Sequence, residues 1–568
     1  MSTPDTPGAL GGGKCMWREW PLWAVLLLVV LVYYVRLDHL TIRGEESRRA
    51  TVAMEMLATG DWIVPRQQGE SRYMSSRPPL QNWMIAGVAA VRGTLDTVAV
   101  RLPSVVAITL LAMLIYFVAR SFLSPVGACA ASASYVTLGH VMELGRLGES
   151  DAVFTLFLGG GMLLWLRSYL RKAPPWQTWL LGYTGAVLAT LTKGPQAPVY
   201  FCGGIGLFLL LNRDWRYAVS WAHAAGIALY TAVFAAGFVP FAMQVGWSGV
   251  VHTFSGDVTM YGNGFTFSEL ARHYSKFPMQ LLAGWMPWTP LLAMYAVPKF
   301  RSQLGSKAKP ALFCWCVLAV AVPTVALIPG TRPRFLMSVY PCVAVLVAIV
   351  VERAALAAQG TLIRRSWRWY LRGTALAMVL VGIGLPIAKC IFSGPHVTAQ
   401  PWIFVAGFTW LSIGMALWAW QCAQADHAAW HIGGVLTVAA FAGLAFAGLF
   451  TNSLVYKSRR YDLAMAKLKT QLPPSAELVS VGPIPHAFAY YYGKPIELLP
   501  TGAEIPAPQA GPRYFCALSD VPINTPHQTI AEICLEREWD DQPQTVVVVG
   551  RLLSEPRQAK VPTQRERK

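Results

Sequence analysis

Charged residues are scarce in this chain. Asp, Glu, Lys and Arg together make up 13% of its 568 residues, whereas soluble globular proteins contain about 25%. Hydrophobic residues reach 54%, which excludes an ordinary soluble globule. Neither glycine (48 residues) nor proline (39 residues) is in excess, which excludes a fibrous or low-complexity chain. The class that remains is a polytopic α-helical membrane protein.

Several local signatures are also missing from the sequence. It has no glycine-rich phosphate loop and no dinucleotide-binding fingerprint, so a nucleotide-sugar donor is not expected. None of its ten cysteines has zinc-site spacing, and most lie in apolar segments as small hydrophobic residues. No small-residue cleavage site follows the apolar run Pro21–Val35, so we interpret this run as a first membrane helix rather than a signal peptide.

Apolar stretches of about 20 residues, long enough to cross a bilayer, recur along the chain. They predict thirteen membrane helices, near 20–36, 103–122, 126–143, 151–170, 176–192, 194–212, 217–245, 278–298, 310–328, 335–352, 373–393, 401–421 and 432–455. The stretch Leu80–Arg92 is too short to span, and we expect it to form an interfacial or re-entrant helix.

Basic residues outnumber acidic ones by 47 to 29, for a formal charge of +18. Much of this excess falls in alternate loops, which the positive-inside rule assigns to the cytoplasm, so no nucleic-acid partner is expected. Residues 1–19 are then cytoplasmic, residues 20–455 form the membrane domain, and the C-terminus lies on the outer side. Two long loops, about 37–102 and 246–277, lie on that same side.

The tail after the last predicted span has a different composition. Short β-like runs separated by Pro and Gly turns predict strands at Glu477–Val481, Ala487–Tyr492, Ile496–Leu499, Tyr514–Ala517 and Thr545–Val549. With a helix over Tyr461–Leu472, they predict a small α/β domain at 456–554, which either recognises an acceptor or covers a cavity. Cys516 and Cys534 are candidates for a disulfide. The last residues, 555–568, are predicted to be disordered.

The first outer loop is rich in ionisable residues. Glu45 and Glu46 lie soon after a membrane helix, with Arg43, Arg48 and Arg49 around them. Paired carboxylates in such a place can provide a general base or a metal ligand. The alternative is a solvated loop whose charges only pair with one another.

The order of residues in this loop resembles a known family. The acidic pair is followed by Arg48, by a predicted helix Ala50–Ala58, and then by Gly60-Asp61-Trp62, Pro65 and Arg77-Pro78-Pro79-Leu80. This resembles the first periplasmic loop of the GT-C glycosyltransferases that use polyprenyl-phosphate sugars. The family includes bacterial relatives of protein O-mannosyltransferases and the transferase that adds aminoarabinose to lipid A. Further matches are Val100–Ser104, Arg146–Asp151, Leu191–Pro195, Arg272–Tyr274, Trp285–Trp288 and Gly330–Phe335.

Two departures from the family pattern concern its most specific loop. Glu45 stands where the family usually has Asp, and Ser76-Arg77 stands where it usually has Glu-Lys. The resemblance therefore predicts the class of activity better than the sugar or the acceptor.

The resemblance implies roles for ten residues. Glu45 is expected to be the base or acceptor-orienting carboxylate, Glu46 and Asp151 the other catalytic carboxylates, and Arg48 the residue that orients Glu45. Because cations bind a phosphate and stabilise it as a leaving group, the donor-phosphate ligands are expected among Arg77, Lys193, Arg272, His273, Arg332 and Arg334. A divalent cation is a candidate cofactor, with Glu45 and Asp151 as candidate ligands.

Structural roles remain the alternative for several of these residues. Lys193 or Arg334 would then be an interfacial anchor, and His273 would make a structural hydrogen bond. Asp151 would cap the N-terminus of its helix.

The predicted fold is therefore of the GT-C type, with about 13 transmembrane helices and a small C-terminal periplasmic α/β domain. The predicted activity is transfer of a sugar from a polyprenyl phosphate, such as undecaprenyl phosphate, to an envelope acceptor at a bacterial inner membrane. The acceptor is either lipid A or protein.

Two other classes of protein remain as rivals. A sugar-lipid transporter should place ionisable residues near the bilayer midplane, whereas here they gather at the outer ends of the predicted spans. A non-catalytic scaffold would tolerate Glu45→Gln.

Overall fold

A computed structural model describes residues 19–42, 44–71, 78–260, 266–392, 400–451, 461–474, 476–501, 513–535 and 545–553. In chain order the α-helices of these residues are α1 (Trp20–Val29), α2 (Gly44–Thr59), α3 (Leu80–Arg92), α4 (Thr97–Ala119), α5 (Pro125–Val136), α6 (Gly139–Leu144), α7 (Asp151–Leu170), α8 (Pro175–Lys193), α9 (Gln196–Leu211), α10 (Trp215–Ala218), α11 (Trp221–Met260), α12 (Phe267–Gly284), α13 (Thr289–Leu292), α14 (Pro298–Ser302), α15 (Ala308–Ala326), α16 (Tyr340–Leu356), α17 (Leu362–Ile391), α18 (Trp402–Gln424), α19 (Ala428–Ala445), α20 (Tyr461–Gln471) and α21 (His486–Tyr492). The strands are β1 (Arg66–Gln67), β2 (Glu70–Ser71), β3 (Leu478–Val481), β4 (Glu497–Leu499), β5 (Tyr514–Leu518), β6 (His527–Leu535) and β7 (Thr545–Leu552).

Helices long and apolar enough to cross a bilayer account for most of the fold. Among the described residues there are eight: Thr97–Ala119, Asp151–Leu170, Trp221–Val251, Gly305–Ala326, Pro333–Leu356, Leu362–Ile391, Trp402–Gln424 and Ala428–Thr451. Two apolar helical segments, Trp20–Tyr34 and Gln196–Leu211, are shorter. The chain is a multi-pass helical membrane protein, and the number of thirteen spans stays a prediction.

Two of the predicted spans are interrupted. The stretch 126–143 contains α5 and the separate short helix α6. The stretch 278–298 contains the end of α12, then a break at Trp285–Trp288, and then α13. Pro287 lies in this break, and proline cannot continue a helix because it lacks the backbone N–H and clashes with the preceding turn.

The described residues form two compact units, which are considered separately. Unit 1 comprises those within Met1–Leu37, Ser104–Phe238 and Val258–Tyr456. Unit 2 comprises those within Asp38–Pro103, Val239–Asp257 and Lys457–Lys568.

Close helix packing in unit 1 sets the positions of two ionisable residues. The central helix, α16, is almost fully buried and packs against α5, α7 and α15. Helices α7 and α8 approach closely because Gly161 faces Gly185, where an added Cβ would lie 2.7 Å from the Cα of Gly161. Small residues permit such contacts between membrane helices. This antiparallel packing brings Asp151, at the start of α7, to Lys193, at the end of α8.

Unit 2 combines α2, α3 and the β1-β2 hairpin with a five-stranded sheet of order β4-β3-β5-β7-β6. Strand β3 is parallel to β4 and β5, whereas β7 is antiparallel to β5 and β6. Helices α20 and α21 belong to the hydrophobic core on one face of the sheet, where Met465, Leu468 and Phe488 are buried. Val479 and Phe515 belong to a separate cluster on the other face. The predicted domain bounds and the periplasmic location stay predictions.

Two sequence-based expectations for unit 2 are wrong, and one strand was missed. The segment Ala487–Tyr492 lies in helix α21 rather than in a strand, because Phe488 and Tyr492, four residues apart, bury one helical face in the core. Strand β6 was not predicted, because this edge strand has mostly exposed or half-buried residues. Helix α2 begins at Gly44 rather than at Ala50, which suits the acidic residues in its first turn.

The candidate disulfide between Cys516 and Cys534 does not form. Cys516 on β5 is a buried free cysteine. Strand β7 lies between β5 and β6, so the two cysteines are on strands about 9.5 Å apart. A disulfide needs Cα atoms within about 7 Å of each other. The predicted disordered tail, 555–568, lies outside the described residues.

Candidate functional site

The first turn of α2 carries two carboxylates in different surroundings. Glu46 is completely buried, with Oε1 2.7 Å from Nη2 of Arg101 and Oε2 3.0 Å from Nε of the same residue. Arg101, itself 2% exposed, also donates to the carbonyl oxygens of Leu40 and Thr41 at 2.8 and 3.2 Å. A bidentate guanidinium therefore contacts both oxygens of Glu46.

Glu45 is the more accessible carboxylate of the pair. Its side chain is 31% exposed and contacts Nη1 of Arg48 at 3.1 Å and Nη2 of Arg49 at 3.4 Å. Arg48 also donates from Nε to Nε2 of His486 at 3.4 Å. A carboxylate that is held in place and still open to solvent can reach a substrate hydroxyl, as a general base or orienting group must.

A buried ion pair lies at the ends of α7 and α8 in unit 1. Nζ of Lys193 is 2.5 Å from Oδ1 of Asp151, and both side chains are less than 10% exposed. The ammonium also lies 5.6 and 5.2 Å from the ring centres of Phe154 and Phe335, within the range of cation–π attraction. An acidic residue at a helix start and a basic residue at a helix end are both favoured by the helix dipoles.

A second carboxylate, Glu149, lies two residues before Asp151 and faces another cation. Oε2 of Glu149 is 3.9 Å from Nη1 of Arg334, with the side chains 11% and 19% exposed. The carbonyl oxygen of Glu149 accepts a hydrogen bond from Oγ of Ser104 at 3.2 Å. The Arg146–Asp151 segment thus supplies two acidic side chains, each paired with a cation from a distant helix or loop.

Helix α12 carries the next two predicted ligands. Thr266 and Glu269 form a capping box at its start, which holds the first turn. His273 bonds through Nε2 to the carbonyl oxygen of Ala326 at 3.0 Å, so it ties α12 to the end of α15, as the structural alternative expects. Arg272 is exposed.

Comparison with known proteins identifies relatives for most of the chain. The undecaprenyl phosphate-alpha-4-amino-4-deoxy-L-arabinose arabinosyl transferase of Pseudomonas paraeruginosa is 27% identical over 418 residues, which are 70% of this chain and 71% of that protein. The protein of the same name from Edwardsiella ictaluri is 24% identical over 347 residues, which are 58% and 59% of the two chains. The crystal structure of apo ArnT from Cupriavidus metallidurans has a TM-score of 0.68 at 17% identity and covers 94% of this chain and 98% of its own.

The chain is a GT-C-fold relative of these transferases. The ArnT structure bound to undecaprenyl phosphate has a TM-score of 0.62 at 18% identity, over 93% of this chain and 98% of that one. The model of the dolichyl-phosphate-mannose-protein mannosyltransferase family matches residues 76–239. The predicted resemblance to the GT-C glycosyltransferases is therefore confirmed.

The predicted site residues of this GT-C relative are distributed over both units. Unit 2 contains Glu45, Glu46 and Arg48, whereas unit 1 contains the remaining described ones, namely Asp151, Lys193, Arg272, His273, Arg332 and Arg334. In each unit carboxylates pair with cations, as described above. Arg77 lies outside the described residues. The catalytic and phosphate-binding roles of all ten residues stay predictions.

The described residues of this GT-C relative do not fit a preformed divalent-cation site. No group of three or more His, Cys, Asp or Glu side chains in the described part of the chain is arranged to hold a metal ion. The two candidate ligands face cations instead, Glu45 two arginines and Asp151 a lysine.

The sequence analysis did not single out three residues that lie beside the predicted site residues. Glu149 lies within the Arg146–Asp151 match, two positions before Asp151, and could have been found there as a second acidic residue. Arg101 lies 55 residues from Glu46, and no local signal links the two. His140 bonds through Nδ1 to the hydroxyl of Tyr340 at 2.6 Å.

Proposed function

We propose that this chain is a bacterial inner-membrane glycosyltransferase that moves a sugar from undecaprenyl phosphate to an acceptor in the cell envelope, with lipid A as the first candidate. The observation that carries this proposal is the kinship with aminoarabinose arabinosyl transferases over 58–70% of the chain. The shared fold over 94% of the chain supports it.

The proposal includes the topology expected from the loop charges. Thirteen spans would place the first loop and the 456–554 domain in the periplasm, where envelope acceptors are found. The many Lys and Arg residues of the alternate loops would then face the cytoplasm. Contacts between the first-loop helix α2 and α21 of the C-terminal domain support placing both on the same side.

The proposed reaction is a single displacement at the anomeric carbon. An acceptor oxygen forms the new bond to that carbon, while the bond from the carbon to the donor phosphate oxygen breaks and the lipid phosphate leaves. Glu45 would accept the proton of an acceptor hydroxyl, or would orient an acceptor that is already ionised. Its 31% exposure supports this role, whereas both oxygens of Glu46 are held by Arg101.

Cations would balance the charge that develops on the departing phosphate. Lys193 is already neutralised by Asp151 at 2.5 Å, so recruiting it would require that pair to rearrange. Arg334 has a longer contact with Glu149, 3.9 Å, and Arg272 is exposed. Arg272 can therefore turn toward a phosphate, and we favour it as a donor ligand alongside Arg77, Arg332 and Arg334.

Protein O-glycosylation is the second candidate function. It is supported by the match of residues 76–239 to the dolichyl-phosphate-mannose-protein mannosyltransferase family model. The donor chemistry and the carboxylate roles would be the same, and only the acceptor would differ.

Mass spectrometry of lipid A and of envelope glycoproteins distinguishes these functions. The parent strain is compared with a deletion strain and with deletions complemented by the wild type or by Glu45→Gln. Loss of one sugar-sized mass from lipid A, restored only by the wild type, supports the first candidate, and the same loss from glycoproteins supports the second. A transporter would give a different result. In the deletion strain a glycolipid would accumulate while no transferred sugar is lost, and Glu45→Gln would restore the level of that glycolipid.

A further inference from the structure

Helix α21 of the C-terminal domain lies against the helix that carries the candidate base. Phe488, Ala489 and Tyr492 face the core of the five-stranded sheet. Tyr490 and Tyr491 pack against a different cluster, formed by residues of α2, α3 and α4 within unit 2. One short helix therefore joins the C-terminal sheet to the first-loop helices.

Polar contacts hold this arrangement at several points. The backbone N–H of Ile42 donates to the hydroxyl of Tyr491 at 2.8 Å. The hydroxyl of Tyr490 donates to the carbonyl oxygen of Leu95 at 3.4 Å, and burial raises the pKa of Tyr490 to about 12, which keeps this hydroxyl protonated. Nε2 of Gln68 donates to Oγ of Ser480 at 2.7 Å. The position of α21 on α2 is thus fixed independently of His486.

His486, the first residue of α21, reaches the Arg48–Glu45 pair. Its Nε2 accepts a hydrogen bond from Nε of Arg48, while Nη1 of that guanidinium contacts Oε1 of Glu45. A guanidinium is a rigid planar fork, so two contacts on different nitrogens fix its plane. The Arg48 and Glu45 side chains are 28% and 31% exposed, and an ion pair that exposed holds its geometry weakly by itself.

We infer that His486 is a positioning residue of the transfer reaction, which holds Arg48 against Glu45 and so orients the candidate catalytic carboxylate. This inference rests on the proposed function. It gives the C-terminal domain a direct part in the site, because α21 supplies an acceptor atom to Arg48. The neutral imidazole must carry its proton on Nδ1, because Nε2 accepts the bond.

The test compares His486→Ala and His486→Gln in the full-length protein. We expect kcat for sugar transfer to fall about tenfold in His486→Ala, with KM for the lipid-linked donor changed less than about threefold. His486→Gln places an amide oxygen near the position of Nε2, so it should restore kcat to within about threefold of the wild type. Tyr491→Phe is the matched control, because it removes another hydrogen bond between α21 and the first loop without touching Arg48. Its kcat should stay near the wild-type value.

A double-mutant cycle on unfolding tests the contact without any substrate. Arg48→Ala, His486→Ala and the double variant should show non-additive changes in thermal stability. Additive changes, or equal loss of kcat in His486→Gln and His486→Ala, or loss of kcat in Tyr491→Phe, would each overturn the inference. A wild-type protein that transfers no sugar from a lipid phosphate would overturn the proposed function and this inference with it. Sugar transfer by the wild type, together with additive stability changes for Arg48→Ala and His486→Ala, would overturn only this inference.

Discussion

The adjacent residues Glu45 and Glu46 should differ in what a substitution costs: Glu46→Ala should lower stability, and Glu45→Gln should lower activity. Glu46 and Arg101 are 1% and 2% exposed and share two hydrogen bonds, so replacing Glu46 leaves a guanidinium buried without its counter-charge. Removing one partner of a buried ion pair typically costs about 3–5 kcal/mol of unfolding free energy. We therefore expect Glu46→Ala to unfold at a much lower temperature than the wild type.

Glu45→Gln should leave the unfolding free energy nearly unchanged and strongly lower the rate of sugar transfer. The contacts of Glu45 with Arg48 and Arg49 involve a side chain that is 31% exposed, and such surface pairs contribute about 0–1 kcal/mol. The amide of Gln can still occupy the site, but it cannot accept a proton. Loss of general-base catalysis typically lowers the rate about 10²–10⁴-fold.

The two variants are measured side by side in lipid nanodiscs. Thermal unfolding reports stability, and transfer of a labelled sugar from a lipid-phosphate donor reports activity. The residual activity of Glu46→Ala is taken well below its unfolding temperature, so that loss of folded protein is not mistaken for loss of chemistry. A Glu45→Gln protein that is destabilised as strongly as Glu46→Ala, or that keeps full activity, would refute this division of roles.

Two further predictions concern buried polar groups. Among the described residues, the amides of Gln81 and Asn82 are buried without a hydrogen-bond partner, so Gln81→Met and Asn82→Leu should each raise the unfolding free energy by about 1–3 kcal/mol. Gln67→Met should lower it, because that amide donates to Arg48 and Thr51, and a fall in all three variants would contradict the reasoning. Lys193→Met should cost about 3–5 kcal/mol of unfolding free energy, because it removes the cation 2.5 Å from the buried carboxylate of Asp151. Adding Asp151→Asn should recover most of that loss, whereas additive losses would mean that the pair is not coupled.

The polytopic helical class and the first-loop motif could be predicted from the sequence. Both are local properties: a bilayer demands long apolar runs, and the acidic pair with its following helix and Pro-Pro-Leu turn lies within about 36 residues of chain. The polar edge strand β6 could not be predicted, because its alternation of exposed and buried residues is weak. The helical state of α21 depended on which of its faces the sheet would bury.

The sequence by itself determined which residues are available for chemistry, since carboxylates and cations had to gather where apolar runs end. Only the tertiary structure decided how they pair. Arg101 reaches Glu46, Lys193 reaches Asp151, and His486 reaches Arg48 across 55, 42 and 438 residues of sequence. Charge alone does not select among such partners, because any cation could pair with any carboxylate. The close packing of α7 on α8 selects Lys193 as the partner of Asp151, and the close packing of α21 on α2 selects His486 as a partner of Arg48.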